Sequence, residues 1–203
     1  AEYVFIKKFR HDRLNNNIIV SGGEILENIK LNKQRVVFIS GHFSNFELMA
    51  MQIEKLGVDL AAVYRPLNNK FLNPIMEKIR KNYICKKQIK KGRSGTREML
   101  ELFKDGSSIA LMIDQRVSEG IQVNFFNRNV KTQIGFLKIA RKFNLPIVPI
   151  KNTRLKNGKI ELMFLEPIFH NDKISDNKMM EKIHKIIERW ITANPNQWFW
   201  QHK

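Results

Sequence analysis

The stretch VVFISGHFSNFELMAMQIEKLG, residues 36–57, decides the fold class of this chain. It opens on a run of apolar residues, which is typical of a short strand buried on both faces of a sheet. Residues 40–42 then predict a turn, and the apolar spacing that follows predicts a helix, which Gly57 ends. A strand, a turn and a helix in succession form the repeating unit of an α/β domain.

Strands and helices alternate along the rest of the chain. Short, continuously apolar runs predict strands that are covered on both faces, and apolar residues spaced as on a helical face predict helices. We therefore predict one α/β domain over residues 1–203, with a mixed, mostly parallel sheet flanked by helices. The predicted strands are residues 36–39, 60–64, 108–113, 123–126, 145–151 and 160–165, and the predicted helices are residues 24–31, 43–56, 70–81, 94–103, 131–143 and 176–192.

The composition excludes several classes of protein. Apolar residues make up 43% of the 203 residues, which is enough for a core and argues against a disordered chain. The single cysteine, Cys85, excludes a disulfide framework and a cysteine-rich zinc module. The sequence has no apolar run of the roughly 18 residues that a membrane-spanning helix needs. It also has no phosphate-binding glycine motif and no H-E-x-x-H motif, so we predict neither a cofactor nor a metal.

The net charge predicts a polyanionic partner. Lys and Arg number 36 against 19 Asp and Glu, which gives a net charge of +17, and nine of the basic residues and no acidic residue fall in residues 78–97. Such a stretch suits nucleic acid, an anionic lipid surface or an acidic protein. A basic nucleic-acid-binding module is therefore one interpretation. The chain lacks zinc-finger spacing, an aromatic RNP-like strand and a clear helix-turn-helix, which disfavours it.

The strongest chemical feature follows the first of these strands. His42 lies where a buried strand gives way to a helix, which is the end of an open α/β sheet where ligands bind. Glu47 comes five positions later, and on one regular helix the two side chains would lie about 140° apart. They meet only if His42 is still in the turn. A histidine bonded to a carboxylate has a fixed tautomer and a more basic free nitrogen, so the pair predicts a general base and its orienting group. A capping histidine beside a solvent-facing glutamate is the alternative.

Two further polar residues end predicted strands. Arg65 follows residues 60–64, and its guanidinium suits bidentate binding of a phosphate, whereas a simple exposed arginine is the alternative. Asp114 follows residues 108–113, so we expect it at the same sheet edge as His42. It would pair with Arg65, hold an acceptor hydroxyl or cap the following loop.

Six blocks of the chain occur together in one known family. GHFSNFE at 41–47 resembles its H-x4-[DE] motif, YRPLNN at 64–69 its Y-R-P-x-x-N block, and IDQ at 113–115 its D-Q block. VNFFN at 123–127 looks like V-P-F-F-G, LPIVPI at 145–150 with Arg154 after it matches the next strand, and NPNQWFWQH at 194–202 looks like the ending P-x-x-W-x-W-x-H. The family is that of the bacterial lipid A biosynthesis acyltransferases, the late lauroyl and myristoyl transferases. The resemblance covers nearly all of residues 22–203.

The resemblance implies a glycerolipid-acyltransferase-like fold and a specific reaction. Such enzymes move a fatty acyl chain from acyl carrier protein to a hydroxyl of a lipid A precursor, on the cytoplasmic face of the inner membrane. It implies that His42 takes the proton of the attacking hydroxyl, that Glu47 stabilises the imidazolium, and that no acyl-enzyme forms because a thioester is already activated. The implied partners are acyl carrier protein, the lipid A precursor and an anionic membrane surface, without nucleic acid. The resemblance further implies substrate binding by Arg65, Asn68, Asp114, Gln115 and Arg154, and a site-shaping role for Asn45.

The chain departs from the family at two points. Asn124 and Asn127 stand where the family has Pro and Gly. Family members also carry a membrane-embedded N-terminal segment, so we expect this sequence to be a fragment that lacks that anchor and the extreme C-terminus. An acyltransferase of phosphatidylinositol mannosides that uses acyl-CoA is the second enzyme alternative. The Y-R-P and D-Q blocks and the Trp-rich ending favour the lipid A branch.

Overall fold

A computed structural model describes residues 2–11, 13–115, 117–171 and 173–200. Residues 201–203 lie outside this range, and with them the histidine that ends the C-terminal motif. No helix among the described residues is long and apolar enough to cross a membrane.

Among the described residues, seven strands form one sheet at the centre of the molecule. Its order is β1-β9-β8-β2-β5-β3-β4, and a separate hairpin joins β6 to β7. The five adjacent strands β8, β2, β5, β3 and β4 run parallel to one another. Strand β9 pairs antiparallel with β8, and β1 pairs parallel with β9. The predicted mixed, mostly parallel sheet is confirmed. The strands are β1 (Ile18–Ser21), β2 (Val37–Ser40), β3 (Leu60–Tyr64), β4 (Lys87–Lys90), β5 (Ser108–Met112), β6 (Ile121–Phe125), β7 (Arg128–Thr132), β8 (Ile147–Arg154) and β9 (Ile160–Phe164).

Helices cover both faces of this sheet. Successive residues of β2 point to opposite faces, so Val37 and Ile39 join one apolar cluster while Val36 and Phe38 join the other. The first cluster includes the inner faces of α5, α6 and α7, and the second those of α1, α2 and α3. The helices are α1 (Ile6–Arg10), α2 (Gly23–Leu31), α3 (Glu47–Lys55), α4 (Leu72–Tyr83), α5 (Arg93–Lys104), α6 (Gly135–Lys142) and α7 (Asp176–Ala193), with 3-10 turns at Glu2–Phe5, Asn15–Asn17 and Pro195–Gln197.

The hairpin of β6 and β7 corrects one predicted helix. The helix expected over residues 131–143 begins only at Gly135, because residues 128–132 pair with residues 121–125. The two-residue turn between the strands places Phe126 at φ 49° and Asn127 at φ 58°. Asparagine tolerates this left-handed region better than other non-glycine residues, so Asn127 serves where the family has glycine.

Candidate active site

His42 lies in the turn between β2 and α3, at the carboxyl end of the parallel strands. Strand β5 is the parallel neighbour of β2, so the residues that follow the two strands emerge at the same edge of the sheet. Asp114 follows β5 and reaches this edge beside His42. The His42 side chain is 12% exposed and that of Asp114 is 0% exposed. The imidazole therefore meets solvent while the carboxylate lies behind it.

The carboxylate of Asp114 holds His42 at several points. Its Oδ1 lies 2.7 Å from His42 Nδ1, and its Oδ2 accepts the His42 backbone N–H at 2.6 Å. The indole Nε1 of Trp198 donates to the same Oδ2 at 2.8 Å. A side chain at Gly41 would put its Cβ 3.0 Å from this oxygen and 2.7 Å from the Phe43 ring. A glycine at position 41 is thus what lets the carboxylate approach so closely.

The hydrogen bonds keep Asp114 ionised. Burial by itself raises the pKa of a carboxyl group, because it penalises the charged form. Here the hydrogen bonds and charge of His42, together with the Trp198 indole, outweigh burial and hold the pKa of Asp114 below its usual value. The anion is therefore present at neutral pH to orient the imidazole.

Gln115 and Lys91 indicate which histidine nitrogen carries the proton. The Lys91 ammonium donates to Gln115 Oε1 at 3.0 Å, so the amide oxygen faces the lysine. The amide nitrogen then faces Nε2 of His42, 3.2 Å away. An amide N–H only donates, so in the neutral ring Nε2 accepts and Nδ1–H donates to Asp114. The lone pair that a general base needs lies on Nε2, toward the cavity.

Glu47 does not make the predicted contact with His42. Helix α3 begins at Glu47 and His42 precedes it in the turn, as the prediction required. Nevertheless, Glu47 Oε1 accepts from Tyr3 Oη at 3.2 Å and from Arg80 Nη2 at 3.0 Å. Within the described residues no hydrogen bond joins it to His42. The reason is topological, since Asp114 arrives from the adjacent parallel strand while Glu47 faces the 3-10 turn Glu2–Phe5 and α4.

Arg80 is a cavity residue that the sequence reasoning missed. Its position in the basic stretch suggested an exposed cation, whereas α4 turns it inward against Glu47 and the Tyr64 ring. Burial lowers the pKa of a guanidinium, but the carboxylate of Glu47 reverses this and raises the pKa of Arg80. Its Nη1 is buried without a hydrogen-bond partner among the described residues. The helical spacing of α4 is the signal in the sequence that could have placed Arg80 on the inner face of the helix.

An apolar cavity of about 210 Å³ opens beside His42. It runs between the carboxyl ends of the central strands and the helices α3, α5 and α6, and charged groups surround its polar part. Such a lining suits an apolar chain whose polar end meets charged side chains. The apolar lining includes Met49, Ala50, Val63, Ile89, Met99, Leu111, Phe136 and Ile139, and the polar lining includes His42, Glu47, Arg65, Arg80, Lys90, Lys91 and Gln115.

The other predicted site residues divide between the cavity and its surroundings. Arg65 lines the cavity, whereas Asn68 is exposed and outside the lining. Of the alternatives for Asp114, pairing with Arg65 is not what the described residues show, since its carboxylate bonds to His42 and Trp198. The Asn45 carbonyl accepts from Asn152 Nδ2 at 2.8 Å, which supports the turn that carries His42.

Arg154 lies away from the cavity and holds the C-terminal segment. Its backbone N–H donates to Gln197 Oε1 at 2.6 Å, and its carbonyl accepts from Gln197 Nε2 at 2.8 Å. Its guanidinium donates to the Gly158 carbonyl in the β8–β9 turn. The residue therefore contributes to the site through Gln197 and its neighbours.

The C-terminal segment closes over the turn that carries His42. The Ser44 N–H donates to the Gln197 carbonyl and the Phe199 N–H to the His42 carbonyl, both at 2.9 Å. These bonds place the Trp198 indole against Asp114. The Trp-rich motif was recognised in the sequence as a family signature, and its structural role is to hold the histidine and its carboxylate together.

Comparison with known proteins assigns the family. The model of the bacterial lipid A biosynthesis acyltransferases matches residues 1–203. This chain belongs to that family. The predicted resemblance is confirmed.

The family includes curated relatives in two bacteria. The lipid A biosynthesis palmitoleoyltransferase of Escherichia coli (strain K12) is 23% identical over 187 residues, which are 91% of this chain and 60% of the relative. The lipid A biosynthesis acyltransferase of Shigella flexneri matches to the same extent. The chain thus spans about three fifths of the length of these relatives.

The fold is shared with a solved glycerolipid acyltransferase. The 1-acyl-sn-glycerophosphate acyltransferase of Thermotoga maritima superposes with a TM-score of 0.58 at 18% identity, over 97% of this chain and 81% of that one. The glycerolipid-acyltransferase-like architecture predicted from the sequence is therefore confirmed.

Proposed function

We propose that this domain transfers a fatty acyl chain from acyl carrier protein to a hydroxyl of a lipid A precursor, at the cytoplasmic face of the inner membrane. The observation that carries the proposal is a histidine, held by a buried carboxylate, at an apolar cavity with a cationic rim. The family of the chain supplies the substrate class.

In the proposed reaction Nε2 of His42 is the general base. The acceptor hydroxyl takes the place of the Gln115 amide as the hydrogen-bond donor to Nε2. It transfers its proton to Nε2 as its oxygen attacks the thioester carbonyl. Asp114 balances the positive charge that forms on the imidazole. Collapse of the tetrahedral intermediate breaks the C–S bond, and His42 returns the proton to the leaving thiolate. No acyl-enzyme is required, because the thioester is already activated.

The apolar cavity accommodates the acyl chain in this proposal. Burying each methylene of the chain contributes about 0.8 kcal/mol, so a lining of Met, Ile, Leu and Phe side chains holds it firmly. The same lining excludes water from the thioester and limits hydrolysis. Acyl length is then set by how far the cavity extends from His42.

Cations at the rim of the cavity bind the polar parts of the substrates. Arg65 and Lys91 line it beside Gln115, and the burial of Lys91, with the charge of Arg65, lowers the pKa of the Lys91 ammonium. A phosphate of the lipid A precursor or of phosphopantetheine would relieve this crowding of like charges. Other exposed lysines of the basic stretch, such as Lys86, would attract the acidic carrier protein.

The contacts of the remaining predicted site residues lead us to propose different roles for them. Glu47 acts in our proposal through Arg80, whose guanidinium it holds at the polar lining. Arg154 positions Gln197 and the segment after it, and Asn45 supports the turn. Asn68 binds substrate only outside the cavity, on the exposed loop after β3.

Acyl transfer with purified protein tests the proposal. Labelled acyl-acyl carrier protein and a lipid A precursor are incubated with wild type, with His42→Ala and with His11→Ala as a control at an exposed histidine. We expect transfer to fall by about 10²-fold or more in His42→Ala and to be unchanged in His11→Ala. Equal rates in all three proteins would overturn the mechanism. Transfer only from acyl-CoA to phosphatidylinositol mannosides would overturn the substrate assignment.

A further inference from the structure

Four large apolar side chains are exposed together on α4 and the loop before it. Phe71 is 88% exposed, and the other three are between 39% and 56% exposed. No described residue of α4 is buried. Clusters of exposed apolar side chains on a protein surface mark contact sites more often than isolated ones do. We call this cluster the α4 patch; it comprises Leu67, Phe71, Leu72 and Ile75.

The α4 patch is displayed on an ordered backbone. Asn69 Oδ1 accepts the N–H groups of Phe71 and Leu72 at 2.9 and 3.1 Å, and Asn73 Oδ1 accepts that of Leu67 at 2.9 Å. Side-chain bonds of this type fix the start of a helix and the turn before it. The apolar side chains are therefore held outward by the local structure.

Basic residues surround the α4 patch. Lys70 precedes Phe71, and Lys78 and Lys81 continue the exposed face of the helix beyond Ile75. The acidic residue of α4, Glu77, is turned away, because it accepts bonds from Tyr64 and Asn73 and pairs with Lys90. These bonds, that of Tyr64 foremost, lower the pKa of Glu77 to about 2. The outer face of α4 thus presents apolar and cationic side chains, with Asn82 at its end, and no acidic group.

We propose that the α4 patch inserts into the interface of a bilayer that contains anionic lipid. Phe, Leu and Ile beside Lys on one exposed helix face is the composition of helices that lie in the headgroup region. The lysines around the patch favour an anionic bilayer over a second copy of this chain as the partner. A second copy of this chain would bring the same lysines together on a protein of net charge +17, whereas anionic headgroups neutralise them.

The α4 patch lies close to the cavity, so contact with a membrane would also position the cavity. Arg65 lines the cavity, and Leu67, the first residue of the patch, lies two positions after it. Insertion of the patch therefore brings the cationic side of the cavity to the level of lipid headgroups. This part of the inference rests on the proposed function, since a lipid A precursor is a membrane lipid. The binding itself does not depend on it.

Vesicle sedimentation without substrate tests the inference. The protein is mixed with vesicles of phosphatidylglycerol and phosphatidylethanolamine, or with vesicles of phosphatidylcholine alone. We expect binding to the anionic vesicles, and a loss of about tenfold or more in Phe71→Ser/Ile75→Ser, because less apolar area is buried. Phe169→Ser, at a phenylalanine that is 59% exposed elsewhere, is the matched control and should bind like wild type.

A second pair of variants tests the charge without touching the apolar residues. Lys78→Glu/Lys81→Glu should weaken binding to anionic vesicles, whereas Lys156→Glu/Lys173→Glu, at exposed lysines elsewhere, should weaken it much less.

Three results would overturn the inference: equal binding by the patch variants and their controls, equal binding to both kinds of vesicle, or conversion of a dimer to a monomer by the Phe71→Ser/Ile75→Ser change. Transfer to a detergent-dispersed acceptor should be unchanged in Phe71→Ser/Ile75→Ser. A failure of the proposed reaction is therefore distinguishable from a failure of membrane binding.

Discussion

Asp114 Oδ1 lies 2.7 Å from Nδ1 of His42, and the two residues follow adjacent parallel strands. The pairing is therefore built into the sheet itself, and it does not rely on the conformation of a long loop. The second oxygen of Asp114 receives the His42 backbone N–H and the Trp198 indole. A site built in this way fixes both the tautomer and the direction of the imidazole before any substrate binds.

The indole of Trp198 should matter for catalysis through Asp114. Trp198→Phe removes an N–H that donates to a buried carboxylate at 2.8 Å, a type of bond worth about 1.5–3 kcal/mol. We expect kcat to fall by about tenfold or more with little change in KM. Loss of this donor should also raise the pKa of Asp114 and move the acid limb of the kcat profile to higher pH.

Trp200→Phe is the control for this change. Its indole donates to the Pro195 carbonyl and not to Asp114. We expect nearly normal kcat and an unchanged pH profile. Equal effects of the two substitutions would mean that the C-terminal segment acts only by packing.

Met99 should influence acyl-chain length. It lines the cavity from α5, so Met99→Trp should shorten the acyl chain that is transferred best, and Met99→Ala should lengthen it. Competition among acyl-acyl carrier proteins of different lengths, with products identified by mass spectrometry, measures the preference. Met180→Ala provides a matched control at a buried methionine outside the lining. A preference that moves equally in Met180→Ala would contradict this assignment.

Asp114 should make stability depend on acid pH. Its folded-state pKa lies below the ordinary value of 3.8 despite burial, because the donors described above stabilise the anion. A lowered pKa stabilises the fold above the unfolded-state value, and this contribution is lost as pH falls through the folded-state pKa. We therefore expect the free energy of unfolding of wild type, relative to Asp114→Asn, to decrease as pH falls from about 5 to below 3.

Urea unfolding at a series of pH values measures this difference. A difference between the two proteins that stays constant, or that grows toward acid pH, would show that the carboxylate of Asp114 is not stabilised by its partners.

The fold was predictable where apolar runs decide the structure. Strands β2, β3, β5 and β8 lie in the middle of the sheet and overlap the apolar runs from which they were predicted. Strands β1 and β4, which lie at the two edges of the sheet, were not predicted. Strand β4 reads Lys-Gln-Ile-Lys, and only Ile89 within it is buried. Strand β4 therefore offers no continuous apolar run to detect, and the run in β1, from Ile18 to Val20, is only three residues long.

The site was predictable in its location but not in its pairing. Strand ends identified His42, Arg65 and Asp114 as neighbours at one edge of the sheet. The partner of His42 depends on strand order, since β5 adjoins β2 while 72 residues separate Asp114 from His42 in the sequence. Sequence spacing favoured the nearer carboxylate, Glu47, which turns toward Arg80 instead.

Substitution of each carboxylate in turn distinguishes Asp114 from Glu47 as the group that orients His42. The rate of acyl transfer from acyl-acyl carrier protein is measured for Asp114→Asn and Glu47→Gln under identical conditions. We expect kcat to fall by about 10²–10⁴-fold in Asp114→Asn. In Glu47→Gln we expect a clearly smaller fall in kcat, with KM raised as the main effect. A larger loss of kcat in Glu47→Gln than in Asp114→Asn would contradict the assignment of Asp114 as the residue that orients His42.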